Sequence, residues 1–292
     1  MNSRLPATLN LSFTSFAQRG GCTGHHADGW GIAFFESDDA APGKGVRHFV
    51  DKDSASTSAL ASMLSTYPIK SHNVVAHVRK ATVGAVRLEN SHPFVRELWG
   101  RYWVFAHNGD LKNYAPRLHG HFRPVGNTDS ELAFCWLMQE LSKSHASVPS
   151  VEELSLTLRE LVPQIAKFGT FNFLLSNGQA LWAHASTNLH YLVREYPFGE
   201  VHLKDEDVRV DLSELNGPED RLAIVVTEPL TTNEAWTQMA PGDLVTFVDG
   251  APVSQCCCAV RAANQAAAVA AGSVASAASS ASTNSAATLQ PV

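Results

Sequence analysis

The chain has 292 residues, of which 45% are hydrophobic and 17% charged, a composition typical of a globular protein with a sizeable core. Its formal net charge of -6 is spread thinly, without a run of Lys or Arg, which argues against a nucleic-acid partner. No secretory signal and no apolar stretch of about 18 residues can be read, so we expect no membrane partner and a cytoplasmic location. The five cysteines do not form a spaced disulfide framework, which agrees with a reducing compartment.

Eight short runs predict β-strands because they are rich in Val, Phe, Trp and Tyr and are bounded by Gly, Asn or Asp. In chain order they are 31–36, 73–79, 102–107, 171–176, 180–185, 189–194, 222–227 and 243–248. Helices are predicted at 54–66, 128–142 and 151–167. Many strands, few helices and no βαβ alternation favour an α+β sandwich over a Rossmann fold.

The helix at 128–142 has the clearest start. Thr128 followed by Glu131 forms a capping-box pattern, and the residues from Leu132 to Met138 are apolar on nearly every side. We therefore expect this helix to be buried within a layer of the fold.

A change of composition near residue 255 predicts a domain at 1–255 and a disordered tail at 256–292. The tail is rich in Ala and Ser and lacks aromatic residues, so it buries too little apolar surface to offset the entropy of ordering. The adjacent cysteines Cys256, Cys257 and Cys258 leave palmitoylation or metal ligation open, although three consecutive side chains diverge.

Two polar segments lie beside predicted strands in the first third of the chain. Residues 18–31 contain several glycines, which suit either a site loop or a simple turn. Arg79 ends the strand at 73–79, where a buried guanidinium needs an anion. Its planar fork suits a substrate carboxylate, and a structural salt bridge is the alternative.

Two further segments carry polar groups at the ends of elements. Asn108 and Gly109 follow the strand at 102–107, where they form either an ordinary turn or two donors of an oxyanion hole. Asp129 lies in the first turn of the helix at 128–142. It either complements the helix dipole or receives a substrate ammonium.

The order of these motifs resembles the class II glutamine amidotransferase domain, an N-terminal-nucleophile (Ntn) hydrolase. The resemblance covers roughly residues 8 to 250 and is nearest to the small stand-alone bacterial proteins of that family. The matching motifs are Asp28 to Gly31, Arg79-x-x-Thr82, Asn90-x-His92-Pro93, His107-Asn108-Gly109, Thr128-Asp129-x-Glu131, and Thr227 to Leu230 with Trp236.

This resemblance implies a four-layer αββα sandwich with two stacked, mostly antiparallel sheets. The implied activity is hydrolysis of the side-chain amide of glutamine to supply ammonia, without a metal or an organic cofactor. The residues up to about 255 leave no room for an acceptor or synthetase domain. The ammonia acceptor is then a small molecule or a separate acceptor or synthetase protein.

The resemblance also assigns roles to individual residues. Arg79, with Thr82 close by, matches the arginine that holds the α-carboxylate of glutamine. Asp129 matches the acid that receives the α-ammonium. The oxyanion-hole pair corresponds to Asn108 and Gly109. His92 matches a histidine near the site, where it positions a loop.

The sequence departs from the family at the nucleophile. The family uses a cysteine that becomes the first residue, and its own α-amine acts as general base. Here position 2 is Asn2, and no cysteine precedes Cys22, which has no α-amine to serve it. The segment Met1 to Leu11 resembles the one that follows the cysteine-bearing strand. A start site a few residues too late and an inactive pseudoenzyme therefore both stay open.

Three other functions fit parts of the sequence. A related amidase would act on a γ-glutamyl compound, because the same Arg79 and Asp129 would hold its glutamyl group. A non-catalytic sensor would use these two residues to bind glutamine without turnover. A metalloprotein is suggested by the histidines His25, His26, His119 and His121, although no paired ligand motif supports it.

Overall fold

A computed structural model describes residues 1–8, 10–24, 26–36, 41–205 and 208–257. The helices of this part are α1 (Asn10–Arg19), α2 (Ala59–Thr66), α3 (Asp129–Ser144) and α4 (Val151–Ala166), with a 3-10 turn at Leu88–Asn90. The strands are β1 (Asn2–Thr8), β2 (Trp30–Phe35), β3 (Val46–Asp51), β4 (Lys70–Val78), β5 (Phe94–Leu98), β6 (Arg101–Leu111), β7 (Gly169–Ser176), β8 (Leu181–His184), β9 (His190–Glu195), β10 (Glu200–His202), β11 (Arg209–Asp211), β12 (Arg221–Val226), β13 (Thr237–Gln238), β14 (Asp243–Val248) and β15 (Ala251–Cys257).

The strands form two large antiparallel sheets. The first sheet has the order β13-β9-β12-β1-β4-β2-β3, and the second has the order β15-β14-β8-β7-β6-β5. Strands β10 and β11 form a separate two-stranded hairpin. Within the described residues, every recorded pairing is antiparallel, and β1 lies in the middle of the first sheet between β12 and β4.

The fold has four layers, and one apolar cluster fills each of the three interfaces between them. Helices α1 and α2 pack on the outer face of the first sheet through residues such as Phe13 and Leu64. The two sheets face each other through small and branched side chains that include Val75 and Val225. Helices α3 and α4 cover the second sheet through a larger aromatic cluster that includes Phe134. Each sheet thus buries both faces, and the expected αββα sandwich of an Ntn hydrolase is confirmed.

The capping box predicted for α3 is only half formed. The Thr128 hydroxyl accepts a hydrogen bond from Glu131 N at 3.1 Å, as predicted. The Glu131 carboxylate does not return to Thr128 but accepts from Val125 N at 3.0 Å and Gly126 N at 2.8 Å. It also pairs with Arg96. Glu131 therefore joins the start of α3 to the loop before it and to β5.

All eight predicted strands are present, one predicted helix begins later than expected, and one of the alternatives left open is excluded. The helix expected at 54–66 begins at Ala59, because Ser58 caps it and the four residues before Ser58 form turns. The turn interpretation of Asn108 and Gly109 also fails, because β6 continues through them to Leu111, paired with β7. A neighbouring strand satisfies the backbone at 108–111, which short-range turn preferences cannot anticipate.

Several elements were not predicted at all, including β1, α1, β3, β5 and β15. The predicted domain boundary at residue 255 falls inside β15, which continues to Cys257 against β14. Cross-strand pairing with Asp243 and Leu244 extends the ordered chain past the change in composition. The predicted tail beyond that point, with Cys258, lies outside the described residues.

The buried His184 of β8 makes the folding stability depend on pH. Its Nδ1 donates to Asp243 O at 2.9 Å, and its buried Nε2 has no partner among the described residues. Burial lowers the pKa of His184 from 6.5 to about 4. Because the folded state resists protonation, the unfolded chain takes up a proton first as the pH falls below 6.5, and folding stability drops toward pH 4.

We therefore expect His184→Phe to remove part of the acid sensitivity. The carbonyl of Asp243 keeps its bond from Ala185 N, at 3.0 Å, and the ring joins Phe171 and Phe173. Between pH 6.5 and 5, the parent should lose about 2 kcal/mol more unfolding free energy than the variant. Urea unfolding at both pH values measures this, with the exposed His121→Gln as the matched control. An equal loss in parent and variant would contradict the prediction.

Candidate active site

One cavity gathers all six residues that the sequence assigns to a site. This polar cavity has a volume of about 240 Å³ and lies where β4 and β6 end, beside the start of α3. The six residues are Arg79, Thr82, His92, Asn108, Gly109 and Asp129. They come from four separate stretches of the chain, so the tertiary structure brings them together.

Arg79 is a buried cation without a carboxylate partner. Its side chain is 3% exposed, and its guanidinium donates to the backbone carbonyls of Asp28 and of residues 83–85 at 3.0 to 3.4 Å. The carboxylate of Asp28 accepts from Ala81 N at 2.8 Å instead. Within the described residues Arg79 forms no ion pair, so the structural salt bridge is not observed. Carbonyl dipoles hold the fork in place without a carboxylate in contact, and the Asp28 carboxylate acts on its charge only from a distance.

Asp129 is fixed at the first position of α3. Its Oδ2 accepts from Leu111 N, at the end of β6, at 2.7 Å. This bond ties the helix start to the strand that carries Asn108 and Gly109. Asp129 lines the polar cavity, and its other carboxylate oxygen has no hydrogen bond from the described residues.

Asn108 and Gly109 lie inside β6, opposite Asn172 and Phe171 of β7. The Asn172 side chain donates to Asn108 O at 3.2 Å, which fixes the backbone there. A Cβ atom at position 109 would lie 1.9 Å from Thr170 O, so no side chain fits. The absence of a side chain therefore lets the backbone of β7 approach Gly109 closely.

Three of the histidines that line the polar cavity come from the strands and loops around it, with His92 and His107 buried and His77 half-buried. His92 is 4% exposed, and neither of its ring nitrogens has a partner among the described residues. Its ring lies 4.5 Å from that of His77, centroid to centroid. Burial lowers the pKa of His77 to about 3 and that of His92 well below 6.5, and it also lowers the pKa of His107. All three are therefore neutral at physiological pH.

His107 has a defined tautomer. A carbonyl can only accept, so Nε2 carries the proton and donates to Thr170 O at 3.0 Å. Nδ1 then accepts from the Ser130 hydroxyl at 2.8 Å. The ring cross-links β6, β7 and α3 directly behind Asn108.

The wall of the polar cavity also contains residues that the motifs did not assign to the site. Four of them are His77, Lys80, His107 and Asp110. Each lies within two positions of Arg79 or Asn108, so proximity in the chain to these two residues was the available signal. Which of the neighbours face the cavity depends on the strand register, which the motifs do not give.

A second, larger cavity adjoins the polar cavity, and we call it the slot. It has a volume of about 360 Å³ and lies between β4 and β12, beyond the start of β1. Its walls include Ala76 and Val78 of β4 and Val225 and Val226 of β12. The two cavities share His26, His77, Val78 and Asn108.

The slot continues the line of β1. Met1 N donates to Val74 O at 2.8 Å, and Val74 N donates to Met1 O at 3.0 Å. Beyond this pair, β4 is bonded only to β2 on its far edge and β12 only to β9, as far as the described residues extend. Two strands that flank the position of one absent strand lie two strand spacings apart, about 10 Å.

Neither described free cysteine lies at these cavities. Cys22 is exposed and lines neither of them, and Cys135 is buried in α3. In the described ranges, no group of three or more His, Cys, Asp or Glu side chains could hold a metal ion. Of the histidines behind the metalloprotein hypothesis, His26 lines both cavities and His25 lies outside the described residues.

Comparison with known proteins identifies the family. Residues 1–271 match the family described as "Glutamine amidotransferases class-II". The chain belongs to the class II glutamine amidotransferase family. Of the described helices of this amidotransferase, none is both long and apolar enough to cross a membrane.

Relatives and solved structures support the same assignment. The chain is 46% identical over 256 residues to a "Putative glutamine amidotransferase" of Haemophilus influenzae, covering 87% of this chain and 85% of that protein. It is 45% identical to the "Putative glutamine amidotransferase YafJ" of Escherichia coli, covering 87% and 97%. A crystal structure of a "predicted glutamine amidotransferase" from Pseudomonas aeruginosa is 44% identical, with a TM-score of 0.66, covering 81% and 91%.

Proposed function

We propose that this class II glutamine amidotransferase hydrolyses the side-chain amide of L-glutamine and supplies the ammonia to an acceptor. The observation that carries the proposal is the pairing, in one cavity, of an Arg79 cation without a carboxylate partner and the anchored Asp129 carboxylate. A free amino acid presents one carboxylate and one ammonium. Two opposite charges on separate elements hold both groups and direct the side chain toward Asn108 and Gly109.

The proposed chemistry is acyl transfer through a thioester. A cysteine thiolate attacks the amide carbon, and the charge on the oxygen is stabilised by Asn108 and the backbone at Gly109. The carbon–nitrogen bond then breaks, and the proton taken from the thiol leaves with the ammonia. Water hydrolyses the thioester and yields glutamate. The neutral His92 lies on the cavity wall, and both its ring nitrogens lack partners among the described residues. It positions either the substrate or the loop that contains His92.

We further propose that the nucleophile lies on a segment preceding Met1 and occupying the slot. Paired residues of an antiparallel sheet point to the same face, and Met1 and Val74 both face the helices α1 and α2. Each residue further upstream of Met1 would pair with the next residue along β4 after Val74. Every second residue of the upstream segment would therefore face the second sheet. The fifth position before Met1 lies opposite Arg79 on that face. Ala106 of β6 contributes to the core between the sheets, and Asn108, two residues on, points the same way.

The test of the amino-acid site is the binding of L-glutamate, the product, which is not turned over. We expect Arg79→Ala to weaken this binding by at least tenfold, because charged hydrogen bonds contribute about 1.5–3 kcal/mol each. Calorimetry on the full chain measures the change. Arg79→Lys keeps the positive charge but not the planar guanidinium, so we expect a smaller loss of L-glutamate affinity than for Arg79→Ala.

Two controls separate binding from folding. Arg47→Ala removes an exposed arginine, paired with Glu36 outside the cavity, and should leave the affinity unchanged. Thermal unfolding of each variant reports the cost of releasing the carbonyls of residues 83–85. Parental affinity in a folded Arg79→Ala variant would remove Arg79 from the site.

The acceptor is a further part of the proposal. A small molecule or a separate acceptor or synthetase protein would take the ammonia. A γ-glutamyl compound would meet the same Arg79 and Asp129 and is distinguished by comparing its turnover with that of L-glutamine. Binding of glutamine without turnover by every form of the chain would identify a sensor instead.

A further inference from the structure

The buried Asn172 of β7 uses all the hydrogen-bonding capacity of its side-chain amide. The residue is 3% exposed. Its Oδ1 accepts from Ser186 N at 2.9 Å and from Thr187 N at 3.0 Å. Its Nδ2 donates to Thr187 Oγ1 at 2.8 Å and to Asn108 O at 3.2 Å. An amide side chain has two acceptor sites and two donors, so none is left over.

These partners allow only one orientation of the Asn172 amide. A backbone N–H can only donate, so the amide oxygen must face Ser186 and Thr187. The carbonyl of Asn108 can only accept, so the NH2 group must face β6. The segment between β8 and β9, which contains Ser186 and Thr187, thereby holds one N–H donor of Asn172 against the backbone of β6.

The bond to Asn108 O acts on the next N–H group of the chain. The carbonyl of Asn108 and the N–H of Gly109 belong to one peptide group. This peptide bond is trans, so its oxygen and its hydrogen point in opposite directions. A donor on the oxygen fixes the plane of the peptide group. It also polarises the group, which makes the N–H of Gly109 a stronger hydrogen-bond donor.

The alternation along β6 gives the direction of the Gly109 N–H. Successive residues of a strand direct their N–H and C=O groups to opposite edges. Asn108 O faces β7, so Gly109 N–H faces the other edge, the same one as Leu111 N–H. Leu111 N donates there to Asp129 Oδ2 at 2.7 Å. Pairing with β5 has already ended at Phe105, and Gly109 and Asp129 both line the polar cavity.

We infer that Asn172 is a positioning residue of the oxyanion hole, which orients and polarises the Gly109 N–H through the carbonyl of Asn108. This inference rests on the proposed function, in which Asn108 and Gly109 stabilise the charge on the amide oxygen of the substrate. That charge develops in the transition state. Asn172 therefore acts on the rate of the reaction rather than on the binding of glutamine.

The first test is a nuclear magnetic resonance measurement on the full chain and needs no turnover. Labelling Asn with ¹³C at the carbonyl and Gly with ¹⁵N selects the Asn-Gly peptide groups, which lie at 108–109, 177–178 and 216–217. Asn108→Asp removes one signal and so identifies that of Gly109. In Asn172→Asp the ¹⁵N signal of Gly109 should move upfield, because its peptide oxygen loses a hydrogen bond. The other two signals should stay in place.

The second test measures turnover of L-glutamine by the chain extended to an N-terminal cysteine at the fifth position before Met1. Asn172→Asp keeps the acceptors for Ser186 N and Thr187 N but turns an anionic oxygen toward Asn108 O. We expect kcat to fall by about tenfold with KM nearly unchanged. Asn172→Ala should lower kcat in the same way without adding a charge.

Asn177→Asp is the matched control for both tests. Asn177 is buried directly after β7, and its Oδ1 accepts from Gln179 N and Ala180 N, each at 3.1 Å. Its Nδ2 has no partner among the described residues. The substitution therefore places the same charge on the same type of buried acceptor without touching β6, and kcat should stay at the parental value.

The outcomes separate the inference from the proposed function. A Gly109 signal that stays in place in folded Asn172→Asp and Asn172→Ala overturns the role of Asn172, whatever the activity. An unchanged kcat in both variants, or an equal loss in Asn177→Asp, overturns it as well and leaves the proposed function standing. An extended parent chain that releases no ammonia from L-glutamine contradicts the proposed function, and the role of Asn172 with it.

Discussion

A chain that carries an N-terminal cysteine five residues before Met1 is expected to release ammonia from L-glutamine, whereas a chain that begins at Met1 should release none. The slot between β4 and β12 would receive the added strand, and its register places that cysteine opposite Arg79, facing Asn108. Without it, neither a thiolate nor an α-amine lies at the oxyanion donors. Ammonia release from both forms at equal concentration measures the effect.

A register scan gives this prediction its controls. A cysteine four residues before Met1 lies opposite Val78, which packs with the cluster under α1 and α2, so its thiol should point away from Asn108 and be inactive. A cysteine three residues before Met1 lies opposite His77 and tests the other position on the productive face. The added strand should also raise the unfolding temperature, because it pairs two sheet edges. Turnover by the chain beginning at Met1, abolished by Cys22→Ser, would make Cys22 the nucleophile.

Asn108→Ala in the active form is expected to lower kcat by about 10²–10³ with a smaller change in KM. The side-chain amide strengthens its contact only as negative charge develops on the substrate oxygen. The energy is therefore lost in the transition state rather than in binding. Steady-state kinetics with L-glutamine separates the two constants.

Two variants sharpen the test of Asn108. Asn108→Asp has nearly the same shape but replaces a donor by an anion, so its rate should fall further than that of Asn108→Ala. Asn216→Ala removes a loop amide that donates to Leu212 O, outside both cavities, and should react at the parental rate. A parental rate for Asn108→Ala would reduce Asn108 to an ordinary strand residue.

The sequence predicted strands where local pattern and burial agree. β2, β7 and β14 are largely apolar and buried runs, and their boundaries fall close to those expected. β1 was missed because its residues, Asn2 to Thr8, alternate poorly and include a proline. It is a strand because β12 and β4 pair with it on both sides. α1, the other early element that was missed, adds the buried Phe13 to the core beneath the first sheet.

The residues of the candidate site were likewise predicted only in part. Motif order was enough to select Arg79, Asn108 and Asp129, because the resemblance ties each to a chemical group. It did not select Asp110 or His77, since their presence in the cavity depends on how far β6 and β4 continue. Short-range turn preferences favoured a turn at Asn108, and pairing with β7 overruled them.

The sequence by itself determined the family and the layered fold class and selected the candidate residues of the site, because these depend on residue types and their order along the chain. The tertiary structure decided that Arg79 is caged by carbonyls without a carboxylate partner, that Asp129 is bonded to the end of β6, and that a strand-sized slot opens beside Asn108. These features arise from backbone groups of distant segments. Every residue carries the same backbone N–H and C=O, so their partners are fixed only when the sheets and helices pack together.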